Sequence, residues 1–315
     1  MSEAFADRLL HRIARKGAPI CVGIDPVFEM LPDAIAGAPA SRDPNDFEAA
    51  IDAIFEFTTG VLKIVAPHVP CVKFQSACFE KYLWEGVETY YSLIQEAEAL
   101  DLLVIGDVKR GDIGTTAAAY AEAHLADPPY DNLDDIVLPD AITVNPYLGI
   151  DTLEPFIAAA RAYGKGLFVV VRSSNPGSAD LQDARLEDGR TFCEMLADRH
   201  RPVAAAAGLV GSSGYSAIGA VVGATQPHTM QSLRQRLPQC VFLLPGYGAQ
   251  GATAEMTRAA FVNGRGAIVS ASRSVLYAHR DQRYAAQFGG DWKKCVEQAV
   301  LDMKRDVAAV VAGGW

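Results

Sequence analysis

Short apolar runs of four to eight residues recur along the chain, at 20–24, 71–74, 102–109, 141–144, 167–171, 218–222, 241–244 and 267–270. Most are continuous rather than alternating, the pattern of parallel strands covered on both faces. Between most of them apolar residues return at helical spacing. That spacing predicts helices over 45–65, 78–100, 115–126, 153–163, 191–207 and 253–263, and a closing helix over 292–312. Eight strands alternating with helices predict an α/β fold, a (β/α)8 TIM barrel with an N-terminal helix and extended βα loops, as one domain over 1–315. An open doubly wound sheet is the structural competitor.

The polar residues decide between the two. Strand after strand ends in a reactive or polar group: Asp25, Lys73, Asp107 with Lys109, Asn145, Ser173 with Ser174, Gly246 and Arg273. A barrel gathers all its strand C-termini onto one face, where barrel enzymes place their sites. An open sheet spreads them along an edge. The longest irregular stretches are 27–44 and 173–189, both rich in Pro, Ser, Asp and Asn. The second follows a strand end, the position of a lid, with a tolerated surface insertion as the equal alternative.

The segment Asp107-Val108-Lys109-Arg110-Gly111-Asp112-Ile113-Gly114-Thr115-Thr116 lies where an apolar strand ends and an Ala-rich helix begins. Residues two apart on a strand share a face, so Asp107 and Lys109 are expected to project together. Charges at the end of an apolar strand are costly unless paired or used. Asp112 precedes the helix and could simply cap it. Asp112 and Thr116, four residues apart, could share a helix face. Lys73 interrupts the strand-like Val72-Lys73-Phe74-Gln75. A lysine there needs a carboxylate, and Asp107 on the next strand is the natural partner. Lys73, Asp107, Lys109 and Asp112 would then form a row alternating in sign, each member favouring its neighbour's ionised form. A purely structural ion-pair network is the alternative.

The stretch Pro245-Gly246-Tyr247-Gly248-Ala249-Gln250-Gly251 contains a GxGxxG match after a strand. A dinucleotide fold would want an acid at the end of the following strand, but Ser272-Arg273-Ser274 stands there. In a barrel the loops after strands seven and eight commonly bind phosphate through backbone N–H groups, and Arg273 would add a charge-assisted bond. Ser173-Ser174-Asn175-Pro176-Gly177 is strong turn chemistry, and a serine hydroxyl before it could read the edge of a heterocycle.

Composition narrows the partners. The net charge is −10 with no basic run, which argues against nucleic acid. The six cysteines and six histidines are dispersed, with no metal-ligand spacing, so reduced thiols in a cytoplasmic protein are expected. The N-terminal stretch 2–17 reads as a surface helix rather than a signal peptide, and no apolar run is long enough to span a bilayer.

The pattern Asp-x-Lys-x-x-Asp-Ile-x-x-Thr, complete here as Asp107, Lys109, Asp112, Ile113 and Thr116, resembles the signature of the orotidine 5′-phosphate decarboxylase family. The resemblance runs through nearly the whole chain: Gly23-Ile24-Asp25 as the first strand end, Lys73 as the second-strand lysine, Ser174-Asn175-Pro176-Gly177 as the base-reading turn, and Pro245 to Gln250 with Arg273 as the phosphate grip. Residues near 27–44 and 191–216 make it similar to the longer bacterial subgroup.

That resemblance implies a (β/α)8 barrel that converts orotidine 5′-phosphate to uridine 5′-phosphate and CO2, with neither metal nor organic cofactor, in pyrimidine biosynthesis. By the same resemblance Lys109 stabilises and protonates the carbanion at C6, Asp107 sits beside the departing carboxylate, and Lys73 holds Asp107 and bonds the ribose, as does Asp25. Asp112, Ile113 and Thr116 reach a partner's site, implying a homodimer. Ser174 reads the pyrimidine, while Pro245, Gln250 and Arg273 belong to the phosphate end. Two alternatives stand beside this reading. One is a Mg²⁺-dependent sugar-phosphate decarboxylase or lyase on the same barrel, which Ile113 with Thr116, the 174–177 turn and the chain length disfavour. The other is a silent nucleotide binder, which has no need of three buried charges.

Overall fold

The structure is a computed structural model and describes residues 3–312 apart from 39, 41, 44, 45 and 128–135. Eight strands close a parallel barrel in chain order: β1 Ile20–Ile24, β2 Cys71–Gln75, β3 Leu103–Arg110, β4 Ala141–Val144, β5 Gly166–Arg172, β6 Ser216–Val222, β7 Cys240–Pro245 and β8 Ala267–Ala271. β1 pairs with both β2 and β8, which closes the ring. The competing open sheet is thereby excluded.

The two-residue period of a strand splits the apolar residues into two cores. Ile20, Val22, Ile24, Val72, Phe74, Val104 and Val108 face the surrounding helices. Cys21, Cys71, Leu103, Ile105, Ala141 and Phe168 fill the barrel interior. On this inner face the chemistry changes with height. Cys71 is followed two residues on by Lys73, Ile105 by Asp107, and Ala141 by Thr143. The barrel is thus greasy at its N-terminal end and polar at its C-terminal mouth.

The floor of the barrel is the Phe5–Lys16 helix, which the sequence reading placed on the surface. Phe5, Ala6, Leu9, Leu10 and Ile13 instead join the interior core. Phe5 meets Phe168 edge-on at 5.9 Å and occupies the space a side chain at Gly166 would need. The carboxylate of Asp7, itself buried, accepts the backbone N–H groups of Ser212 and Ser213, which ties this floor to the turn before β6.

Other expectations also shift. The stretch 253–263 forms only a 3₁₀ segment, Glu255–Ala260, in which only Thr257 and Ala260 are buried. The stretch 78–100 is two helices, Ala77–Glu80 and Leu83–Ala99, because Leu83 takes a positive φ of 58° that breaks the α-helical path. The 153–163 helix starts at Glu154, behind a 3₁₀ turn. The helix Pro227–Arg236 shows little periodicity, since Met230 and Leu233 are its only buried apolar residues. The stretch 27–44 holds a 3₁₀ turn and the Asp33–Ala36 helix, and 173–189 holds the Ser178–Gln182 helix, so neither is wholly irregular. The Phe192–Ala204 helix begins on a capping box formed by Thr191 and Glu194.

Two histidines are sealed in this packing. His200 Nε2 donates to the Gly219 carbonyl at 3.3 Å, and burial pushes both His124 and His200 down to about 4. An unfolded histidine titrates near ~6.5. Between those values the unfolded chain binds more protons, so stability falls as pH drops through the window. The loss is about 1.4 kcal/mol per pH unit for each histidine at most. Urea unfolding between pH 7 and 5 is expected to show this decline, and His200→Gln to make it shallower. An unchanged slope in that variant would contradict the assignment.

Candidate active site

The mouth of the barrel is organised around one carboxylate. β2 and β3 run parallel with Gln75 opposite Asp107. Lys73 Nζ donates to Asp107 Oδ2 at 2.6 Å, and Gln75 Nε2 donates to the same oxygen at 3.2 Å. Lys109 Nζ donates to Asp107 Oδ1 at 2.6 Å, and Thr143 Oγ1 donates to it at 2.8 Å. The four donors engage both oxygens. Asp25 Oδ1 lies 4.0 Å from Lys73 Nζ and is buried without a hydrogen-bond partner among the described residues.

Burial alone would raise the Asp107 carboxyl. The Lys73 and Lys109 charges and their hydrogen bonds outweigh it and hold the group well below the usual carboxylate range. Burial likewise works against a charged Lys73, but Asp107 and Asp25 overcome it and hold its ammonium above the ordinary lysine range. Both remain ionised at neutral pH. The Lys73 and Asp107 side chains are 8% and 9% exposed, whereas Lys109 is 49% exposed. The row is therefore anchored at its buried end and presents its second ammonium to the open mouth.

Lys109 reaches that position through a distorted backbone. Its φ is +44°, a left-handed conformation uncommon for a residue with a side chain. Beside it the β3–β4 register jumps from Gly106 opposite Ile142 to Arg110 opposite Val144. The Lys109 N–H donates to Thr143 Oγ1 at 3.0 Å, and Arg110 Nη1 donates across it to the Val108 carbonyl at 2.9 Å. Arg110 is in turn fixed by Glu80 at 2.5 Å. The sequence reading gave Thr143 and Gln75 no role and took Arg110 with Gly111 as the turn, whereas Arg110 is the last residue of β3. Threonine is an ordinary strand residue, and only its register against Asp107 marks Thr143 out.

The row as built is Asp25–Lys73–Asp107–Lys109, and Asp112 is absent from it. Among the described residues the Asp112 carboxylate accepts only the Ile113 N–H, at 2.8 Å. The helix begins at Gly114, with Ile113 at the cap position and no side-chain cap, so Asp112 is neither a helix cap nor on a helix face with Thr116. Ile113 is 62% exposed and Thr116 is exposed.

The other end of the mouth gathers the residues expected there. A side chain at Gly246 would lie 3.1 Å from Gln250 Oε1 and 3.6 Å from Ser174 Cβ, so Ser174 and Gln250 converge on one point. Gly246 has a φ of 111°, which only glycine adopts readily. Pro245 ends β7 opposite Ser270 of β8, and its carbonyl accepts the Ala224 N–H at 3.0 Å. Gly248 packs on Ser274, which brings the β7 loop against the β8 end. Arg273 opens the Arg273–Leu276 helix, exposed and without an ion-pair partner among the described residues. A cavity of about 500 Å³ runs from Lys109 past Asn145 and Tyr147 to Ser173, Asn175 and Gln182. Among the described residues no group of three or more His, Cys, Asp or Glu side chains could hold a metal ion.

Fold and site together define a TIM-barrel enzyme with a lysine–aspartate row at its strand C-termini. Residues 19–288 match the orotidine 5′-phosphate decarboxylase / HUMPS family, and the chain belongs to that family. A Rhodopirellula baltica protein named orotidine 5′-phosphate decarboxylase is 38% identical over 96% of this chain and 98% of its own. One of the same name from Caldicellulosiruptor bescii is 35% identical over 98% of this chain and 99% of its own. Among solved structures, a candidate orotidine 5′-phosphate decarboxylase from Streptomyces avermitilis is similar at a TM-score of 0.78 and 32% identity, over 99% of this chain and 97% of that one.

The contrast in burial along the row has a consequence for stability. Asp107→Ala strands Lys73 in a buried place with only Asp25 nearby, which is expected to cost about 3–5 kcal/mol. Lys109→Ala removes a half-exposed partner and is expected to cost less than about 1 kcal/mol. Equal losses in urea denaturation of the two variants would contradict this anchoring.

Proposed function

We propose that this protein decarboxylates orotidine 5′-phosphate to uridine 5′-phosphate and CO2, in pyrimidine nucleotide synthesis. The observation that carries the reading is the Asp107 carboxylate clamped between Lys73 and Lys109, with the Lys109 ammonium turned to an open cavity. In the reaction the bond between C6 and the carboxylate carbon breaks, and its electron pair stays on C6. A fixed cation in that place stabilises the developing carbanion without reorganising at the moment of reaction. Lys109 Nζ then gives a proton to C6 and is reprotonated from solvent. This chemistry draws on no cofactor.

The remaining residues divide the substrate between them. Asp107 stands beside the departing carboxylate and keeps Lys109 aimed. Lys73 and the unpartnered Asp25 oxygen take ribose hydroxyls. Ser174 reads the pyrimidine, Gln250 and Arg273 hold the phosphate, and Pro245 sets the start of their loop. Phosphate lies far from C6, and its binding energy can be spent on ordering the site at the base. The exposed Arg273 and the glycine-shaped loop at 246–251 support that division. The Mg²⁺-dependent alternative on the same barrel is disfavoured by Ile113 with Thr116, by the 174–177 turn, and by the full-length likeness to proteins named as this decarboxylase.

The working unit on this reading is a homodimer. Asp112, Ile113 and Thr116 stand clear of their own row and present a surface that includes an exposed isoleucine, so they are assigned to the partner's site. The acidic chain is not a nucleic-acid binder. Among the described residues no helix is long and apolar enough to cross a membrane. All six cysteines are unpaired, which supports a cytoplasmic location.

Mixing two inactive variants tests both the proton donor and the dimer. Lys109→Ala and Asp112→Ala are each expected to lose at least about a hundredfold in turnover. In a random mixture half the dimers are hybrids with one intact site each, so activity should return to about a quarter of wild type. Near-normal turnover in Lys109→Ala would overturn its role. No recovery with subunit exchange demonstrated would place Asp112 in its own chain's site.

A further inference from the structure

The Ser174 turn is held by a device separate from the lysine–aspartate row. β5 ends in Arg172, whose guanidinium is almost wholly buried at 4% exposure. Nε donates to Asp183 Oδ1 and Nη2 to Asp183 Oδ2, both at 2.9 Å, a two-pronged pair. Nη1 donates to the Ser173 carbonyl at 2.7 Å, to Ser178 Oγ, and to Gln182 Oε1 at 3.4 Å. Gln182 Oε1 also accepts the Ser173 N–H at 2.8 Å, and Ser178 Oγ donates to the Asn175 carbonyl at 2.5 Å. One cation therefore joins the first residue of the 173–183 segment to its last.

The segment is also seated from outside. A side chain at Gly223, just beyond β6, would lie 2.9 Å from Ser174 Cα and 3.0 Å from the Ser173 carbonyl oxygen. Ser174 is thus pressed between the ends of β6 and β7, beside Gln250. Ser173, Asn175 and Gln182 line the same cavity as Lys109. A turn that floated free would pay its ordering entropy at each binding event, whereas a pre-shaped one does not.

We infer that the pair of buried Arg172 with the part-exposed Asp183 is a positioning couple for base recognition, holding Ser174 in its reading position before substrate arrives. Neither residue touches substrate; both act through the 173–178 backbone. The inference rests on the reading of the site as one for a pyrimidine ribonucleotide. It separates recognition of the base, which depends on the couple, from recognition of the phosphate, which depends on Gln250 and Arg273 beyond the ends of β7 and β8.

Asp183→Asn breaks the two-pronged geometry with little change in volume, and far-UV circular dichroism reports whether the barrel persists. Binding of uridine 5′-phosphate and of ribose 5-phosphate is measured in parallel, since the second has the phosphate and sugar but no base. The variant is expected to lose about tenfold or more in affinity for uridine 5′-phosphate, by misplacement of Ser174. Ribose 5-phosphate should bind within about twofold of wild type. Gln182→Ala, which removes the bonds to the Ser173 N–H, the Ser173 hydroxyl and Arg172 Nη1 but leaves the Arg172–Asp183 pair, should shift the same ratio in the same direction and serves if Asp183→Asn does not fold. An unchanged ratio of the two affinities, whether both fall together or neither moves, would overturn the couple's role. Wild-type protein that binds uridine 5′-phosphate no better than ribose 5-phosphate would instead overturn the reading of the site.

Discussion

A carboxylate and an ammonium withdrawn from water are each costly alone, and the mouth of this barrel contains both. Asp107 is affordable there because four donors on three strands converge on it, two of them cations. The pairing explains the ionisation of both buried members, and it explains why Lys109 stays at the mouth. It also accounts for the backbone. A positive φ at Lys109 and a break in the β3–β4 register are tolerated where the charges demand that the ammonium turn back toward Asp107. The surrounding barrel, closed below by the Phe5–Lys16 helix, supplies the rigid frame on which such strain can persist.

The division of labour within the barrel follows from the strand period. Alternate residues of a strand face the interior and the helices, so a strand can be apolar outside while changing chemistry inside. Cys71 to Lys73, Ile105 to Asp107 and Ala141 to Thr143 make that change toward the C-terminal ends of three neighbouring strands. The stability of the fold thus resides in the lower layers and the outer shell. The upper layer is free to carry charge.

Much of this was legible in the sequence. All eight strands were visible, because continuous apolar runs of four or more residues bounded by turn chemistry leave little else to fit. Lys73 and Asp107 stood out as charges inside such runs. Arg172 carries the same signature, a cation directly after the apolar residues 167–171, yet its role shows only when Asp183 is seen folded back onto it. Thr143 gave no signal of its own, since its meaning lies in register. The N-terminal helix looked like a surface element, because a helix that plugs a barrel has the same amphipathic pattern as one that lies on a surface. The 253–263 stretch looked helical from local spacing, but too few of its residues find a core to bury against. Asp112 was drawn into the charged row by its spacing, and the break of the strand at Gly111 takes it away.

The central claim is that the Lys73–Asp107–Lys109 row carries a decarboxylation that draws on no metal or cofactor. Its most direct test is to incubate the purified protein with orotidine 5′-phosphate in excess EDTA and follow the ultraviolet change from orotate to uracil chromophore. The account predicts rapid conversion, undiminished by the chelator, with release of CO2. An unchanged spectrum, or turnover that vanishes with EDTA and returns with Mg²⁺, would contradict it.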